Sequence, residues 1–281
     1  AASWPLIGTF HSFWAKILRR EARFFGRSPD FIIFDDDDSK KITRKVLNRF
    51  KELKNEWSAA KLLHEFNRFK SEVNLPEDEV FQAAFLVYEN ALRSNNAFDF
   101  DDLIEKVVRL FEKQPEVLEK YQNYYQYILV DEYQDTNTAQ YKLIKLLSSK
   151  YGNLSVVGDD NQSIYSFRNA DFRNFLNFER DWPGTKVILL EENYRSSKNI
   201  VKAASVLISN NKFQKSKNLW TANHEGNLIK VAETGGATEE ATWVAEEILR
   251  DRSDALGNST AILYRTNAQS RAIEQALIEN D

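Results

Sequence analysis

Ile128-Leu129-Val130-Asp131-Glu132-Tyr133-Gln134-Asp135-Thr136-Asn137 is the stretch on which the reading of this chain turns. Three apolar β-formers end abruptly in two adjacent carboxylates. A buried parallel strand delivers acids in this way to the carboxyl edge of an open α/β sheet, where ligands bind. In a nucleotide-hydrolysing site the first acid holds Mg²⁺ on the phosphates and the second polarises the attacking water. Taken alone, the run fits an acidic turn after a buried strand better, because surface acids are common.

The pattern downstream supports the strand reading. Short apolar runs alternate with helical stretches: 127–131 then a helix over 137–149, 154–158 then 171–180, and 186–190 then 197–210. That alternation predicts parallel βαβ units. Two more strands, 228–232 and 260–264, are expected around a helix at 238–250, with a last helix over 267–279. Upstream the chain reads as helical, with periodic segments at 11–26, 40–54 (capped by Asp38-Ser39), 58–70, 78–93 and 99–112. A Pro115-initiated helix follows over 115–124.

Two further strand ends carry chemistry. Leu154-Ser155-Val156-Val157 leads into Gly158-Asp159-Asp160-Asn161-Gln162-Ser163-Ile164-Tyr165-Ser166-Phe167-Arg168. A glutamine there can bond a terminal phosphate, and exposed rings beside an arginine can stack on unpaired bases. A polar loop with two buried rings is the alternative. The third run, Val187-Ile188-Leu189-Leu190, leads to Glu191-Glu192-Asn193-Tyr194-Arg195-Ser196-Ser197, with an aromatic for an adenine and an arginine for phosphate.

Composition bounds the rest. The 281 residues suffice for about two domains, and 42% apolar with 28% charged is ordinary for a globular chain. No apolar run approaches the roughly 20 residues that span a bilayer, so no membrane partner and a cytoplasmic location are expected. The absence of cysteine excludes disulfides and thiolate sites, and His11, His64 and His224 lack metal-ligand spacing. Methionine is absent too, which suggests a piece of a longer reading frame or an edited chain. Net charge is −4, yet Lys16 to Lys54 holds twelve Lys/Arg against seven Asp/Glu. This stretch is either a phosphate-binding surface or a solvated helix face.

The three strand ends, about 27 and 35 residues apart, together resemble the UvrD/Rep/PcrA family of superfamily 1 DNA helicases. Residues 128–137 resemble motif II of that family, 156–168 its motif III and 190–197 its motif IV. Ile7-Gly8-Thr9-Phe10-His11-Ser12-Phe13 resembles an early DNA-contacting motif, and Ile262 to Arg271 a segment of the second motor domain. The resemblance implies that Asp131 coordinates Mg²⁺, that Glu132 is the general base, and that Gln162 senses the γ-phosphate of ATP. It implies further that Arg195 is an arginine finger and that Tyr194 stacks on the adenine. Thr9, Phe10, His11, Tyr165, Phe167, Arg168, Asn267 and Arg271 would contact DNA, with Phe167 standing where close relatives often carry Trp.

The implied fold is α/β: two RecA-like P-loop NTPase motor domains, both incomplete, with an all-helical insertion subdomain. Residues 1–13 would end the N-terminal part of the first RecA-like domain, 14–124 form the insertion, 125–192 complete the first domain and 193–281 begin the second. The implied activity is ATP-dependent 3′–5′ translocation on single-stranded DNA and single/double-strand junctions, alongside repair or replication proteins. The family's phosphate-binding loop ends Gly-Lys-Thr/Ser and is expected upstream of Thr9, but no Gly-Lys-Ser/Thr occurs in the chain. The chain therefore reads as the middle of a helicase, inactive and unstable alone. The alternatives are a non-catalytic DNA- or protein-binding module, and a branch of the family fused to a nuclease.

Overall fold

A computed structural model of the chain describes residues 5–212, 214–252 and 259–280. The chain divides into two units. The first is Ala1–Leu190 with Ile208–Lys217, and the second is Glu191–Leu207 with Asn218–Asp281.

The first unit opens with α1 (Phe10–Arg20), whose N-cap Thr9 accepts the Ser12 amide. The helix stops six residues before the periodicity predicts. Glu21 turns inward to bond Lys120 (2.6 Å) and the Tyr121 hydroxyl (2.9 Å). A 3₁₀ turn, Ala22–Phe25, then ends at Gly26, whose φ of 62° favours glycine. Next come β1 (Ile32–Ile33) and α2 (Asp36–Arg49). Asp35, rather than Asp38-Ser39, caps α2 by accepting the Asp38 amide at 2.8 Å. The acids Asp36, Asp37 and Asp38 then lie in the first turn, where the helix dipole favours them. The chain continues through α3 (Lys51–Lys54), α4 (Ala59–Glu72), α5 (Glu79–Ser94), β2 (Ala97–Phe98), α6 (Asp102–Lys113) and α7 (Pro115–Tyr124).

The stretch 14–124 is therefore not all-helical. β1 and β2 pair in parallel, Ile32 against Ala97 and Ile33 against Phe98, and strands of two residues are too short to show a period in sequence. Two apolar cores hold these elements. One joins Trp14, Ile17 and Leu18 of α1 to Val107, Val108 and Phe111 of α6, Tyr121 of α7 and Leu143 of a later helix. The other joins Val46, Leu62, Phe66, Phe85, Tyr88 and Leu92. Beside the second core, the fully buried Lys70 meets Glu89 (2.8 Å), Asp99 (2.6 Å) and Asp102 (2.8 Å).

The βαβ expectation holds at its first step. β3 (Ile128–Val130) leads to α8 (Thr138–Ser148) and then β4 (Leu154–Val156), and β3 pairs in parallel with β4. Asn137 and Gln140 form a capping box at the start of α8. The helix expected over 171–180 is two single turns, α9 (Arg173–Leu176) and α10 (Phe178–Asp181), with Asn177 as the break.

The strand expected over 186–190 does not form: residues 185–190 enter no ladder, and Leu190 is 79% exposed. The second unit contains α11 (from Lys198; its last residue, Ile208, groups with the first unit), α12 (Ala237–Arg252) and α13 (Ser270–Glu279). The strands expected at 228–232 and 260–264 are likewise absent, with Val231 and Leu263 almost fully exposed. An apolar run becomes a strand only when a neighbour takes up its backbone hydrogen bonds. Among the described residues, only the isolated parallel bridge of Glu192 with Trp220 supplies such a neighbour here.

Candidate active site

β3 ends in Asp131 and Glu132, both exposed. The Asp131 carboxylate accepts the Glu132 amide at 2.9 Å. Glu132 itself is left-handed, φ 49° and ψ 41°, a conformation that a non-glycine residue adopts at a cost of about 1 kcal/mol. Such strain persists where surrounding contacts over-determine it, and it concentrates at functional sites. The contacts here are specific. The Gln134 side-chain amide donates to Glu132 Oε2 at 2.7 Å, while Gln134 Oε1 accepts the Asp159 amide at 3.0 Å. Tyr133 N–H donates to the Val157 carbonyl, and Val157 N–H to that of Val130. Gln134 is buried, so it bridges the end of β3 to the loop after β4 from within.

Gly158 is required by that bridge. A Cβ at this position would lie 2.4 Å from Gln134 Oε1 and 3.0 Å from the Phe175 ring. Asp159 follows, and its carboxylate accepts the Asn161 amide (3.0 Å) and the Gln162 side-chain amide (2.8 Å). The structure thus brings Glu132 and Gln162 into one hydrogen-bonded chain through Gln134 and Asp159. Asp135 lies beside this chain with a buried carboxylate oxygen, and burial together with the Glu132 charge raises its pKa.

The predicted DNA-contacting residues occupy varied settings. Tyr165 and Phe167 are exposed, their ring centroids 5.9 Å apart and inclined by 41°. The polar-loop alternative with two buried rings therefore does not hold. The Arg168 side chain lies outside the described residues. Thr9 is exposed at the α1 cap, whereas His11 packs edge-on against Phe100 at 5.6 Å, and burial lowers its pKa. The half-buried Phe10 packs against both the α1–α6 core and the core under β3. Asn267 and Arg271 are exposed at the start of α13.

The second unit orders Tyr194 and Arg195 by itself. The Asn193 carboxamide oxygen accepts the amides of Arg195 (3.1 Å) and Ser196 (2.8 Å). The exposed Tyr194 donates its hydroxyl to Glu192 at 2.7 Å.

Mg²⁺ bound with a nucleotide takes one or two protein carboxylates plus phosphate oxygens. An exposed Asp131 at a strand end, with Glu132 beside it, fits that requirement. Gln134, Asp159 and Asp160 were not singled out in the sequence. Adjacent carboxylates after a strand signal the need for a cation, but Lys217, whose ammonium bonds both Asp159 and Asp160, lies more than fifty residues downstream.

Residues 1–183 match the UvrD/REP helicase N-terminal domain, and residues 188–281 match the UvrD-like helicase C-terminal domain. The chain belongs to the UvrD-like helicase family. Among its relatives are proteins named ATP-dependent DNA helicase PcrA from Staphylococcus epidermidis and Staphylococcus aureus. Each is 43% identical over 286 residues, an alignment that takes in 98% of this chain and 39% of the relative. The chain thus spans about two-fifths of the length of the curated relatives it matches. UvrD-like membership carries the α/β P-loop NTPase fold, of which β3, α8 and β4 are one unit.

Proposed function

We propose that this chain supplies the water-activating and DNA-contacting centre of an ATP-dependent helicase that moves 3′ to 5′ along single-stranded DNA. The observation that carries this reading is the bonded chain Glu132–Gln134–Asp159–Gln162 at the ends of two paired parallel strands. Asp131 would hold Mg²⁺, which supplies charge neutralisation on the nucleotide phosphates. Glu132 keeps one carboxylate oxygen on Gln134 and presents the other to a water, as a general base requires. Gln162, moving with Asp159, would report the terminal phosphate to Tyr165 and Phe167, whose exposed rings suit base stacking. Arg195 and Tyr194 would serve as arginine finger and adenine platform.

In this reading 14–124 is an insertion in a first RecA-like domain ending near 192, and 193–281 opens the second. Single-stranded DNA and its duplex junctions are the substrates, in cytoplasmic repair or replication. No helix among the described residues is long and apolar enough to cross a membrane.

The test is Glu132→Gln in the full-length protein, which is expected to abolish DNA-stimulated ATP turnover while nucleotide binding persists. Unchanged turnover would remove Glu132 from the role of base. One observation favours a second reading, a non-catalytic DNA-binding module: the 281 residues contain no Gly-Lys-Ser/Thr. DNA-stimulated ATP turnover by the full-length protein would exclude it.

A further inference from the structure

We propose that Lys217 is a positioning residue for Gln162, and that Ile208–Lys217 is the strap that holds it there. This deepens the ATP-hydrolysing reading above and depends on it.

The segment leaves the second unit after Leu207, groups with the first, and leaves it again at Asn218. Its attachments include three consecutive residues of the loop after β4, and Lys215 Nζ pairs separately with Glu179 of α10. Lys217 Nζ donates to the carboxylates of both Asp159 and Asp160. The Lys215 amide donates to Asp160 Oδ2 at 2.6 Å. Asn161 donates to Gln214 Oε1 at 3.1 Å and accepts from the Asn211 side chain at 3.2 Å.

Without a cation the two adjacent acids would repel, and Asp160 is buried, so its charge is costly unless paired. Lys217 neutralises both. One of its partners, Asp159, also receives the Gln162 side-chain amide. The position of Gln162 is therefore set by a carboxylate whose own position is set by Lys217. Burial works to lower the Lys217 pKa, but the bonds to the two carboxylates outweigh it and keep the ammonium charged. No part of the motif II or motif III sequence contains this lysine. The strap is continuous with α11 at one end and with the Trp220 bridge at the other. A displacement of either end therefore reaches Gln162 through Lys217 by covalent connection and two hydrogen bonds.

The experiment is a double-mutant cycle in the full-length protein, reading DNA-stimulated ATP turnover for Lys217→Ala, Gln162→Ala and the pair. Glu132→Gln is measured alongside, and a thermal melt is taken of each variant. A positioning role predicts that Lys217→Ala lowers kcat about ten- to a hundredfold, since small misplacements at a reacting centre cost that much. It predicts less than about twofold further loss when Gln162 is already Ala. Lys217→Arg, which can still reach both carboxylates, should restore most of the rate. Equal losses in both backgrounds, or no loss in either, would overturn the proposal. If Lys217→Ala does not fold, Lys217→Gln carries the same cycle, because it keeps most of the side chain and a donor without the charge. Turnover that survives Glu132→Gln would defeat the assignment of Glu132 as base, on which this proposal rests. A dead Glu132→Gln with additive Lys217 and Gln162 effects would defeat only the strap.

Discussion

Two residues show how little freedom the chain has at its decisive positions. At Gly158 the space that a methyl group would need is already filled by Gln134 Oε1 and the Phe175 ring. Gly158→Ala must push the buried Gln134 off Glu132 or off the Asp159 amide. We expect at least tenfold lower turnover, with stability reduced by about 1–3 kcal/mol as for other overpacked sites. ATPase assays beside urea melts would separate the two effects, and wild-type turnover would place the Gln134 bridge outside the mechanism. At Lys70 the constraint is electrostatic. Its ammonium is buried among Glu89, Asp99 and Asp102 and lies 5.0 Å from the Tyr88 ring centre. Lys70→Met keeps the volume but strands the carboxylates, and a broken buried ion network costs about 3–5 kcal/mol. A drop of that size in the unfolding free energy from urea melts is expected; a change under about 1 kcal/mol would show that the carboxylates take up protons instead. Arg19, exposed like Arg20 and Arg23, also has a structural part. Its guanidinium bonds the carbonyls of Pro29 and Phe31 and lies 4.5 Å over the Phe31 ring. A salt-dependence test of DNA binding by the basic stretch therefore belongs on the exposed Arg20 and Arg23.

Elements were legible where a local signal fixes them and illegible where only a distant partner does. α8 announces itself through Asn137 and Gln140, three residues apart, and α7 through Pro115 at its first position. Asn137→Ala removes the acceptor for the Gln140 amide and should cost about 1 kcal/mol. A melting temperature within error of wild type would mean that packing alone holds the helix. β1 and β2 could not be read, because the chain between them is more than sixty residues long and each strand has only two. The opposite failure occurs at 186–190, 228–232 and 260–264, where apolar runs promise strands but no ladder partner is found among the described residues. The start of α6 offers a pH test. Asp101 is pushed up to about 7 by burial and by the charges of Asp99 and Asp102. Its folded-state pKa lies above the unfolded value, so the folded state holds a proton that the unfolded state has released. The contribution to stability is present at low pH and lost as pH rises through about 7. Part of Asp101 remains in contact with water, so the swing is on the order of 1–2 kcal/mol. Glu89 acts oppositely: burial favours its neutral form, but Lys70 and Lys106 overcome this and hold its pKa well below the usual carboxylate range. Its contribution is lost as pH falls below about 4. Asp101→Asn should flatten the decline between about pH 5 and 7 and leave the acid limb unchanged; an unaltered slope there would assign it to other groups.

Across the whole chain, the candidate-site residues carry a local sequence signal that much of the fold around them lacks. Asp131, Glu132 and Gln162 follow apolar runs that end in polar residues, a signal contained within about ten positions. The groups that bind those residues to one another, Gln134, Asp159 and Lys217, depend on contacts across 25 to 58 positions, which no periodicity encodes. The same contrast governs solution behaviour. The first unit buries cores among its helices and beneath one face of the β3–β4 pair, but Leu129 of β3 is 74% exposed and Ile164, in the loop after β4, is 68% exposed. The unpaired run 185–190 is no better covered, with Ile188 69% and Leu190 79% exposed. Exposed apolar residues beside unpaired strand backbone are templates for association. The 281-residue chain produced alone should therefore self-associate at micromolar concentration, with light scattering that rises with protein concentration. Replacing Leu129 and Ile188 by Lys should shift it toward monomer, since a charge at an exposed edge blocks pairing. Neither residue belongs to the buried cores, so the urea midpoint should hold. A wild-type chain that elutes as a monomer and melts reversibly would show that these apolar groups find cover within the chain itself.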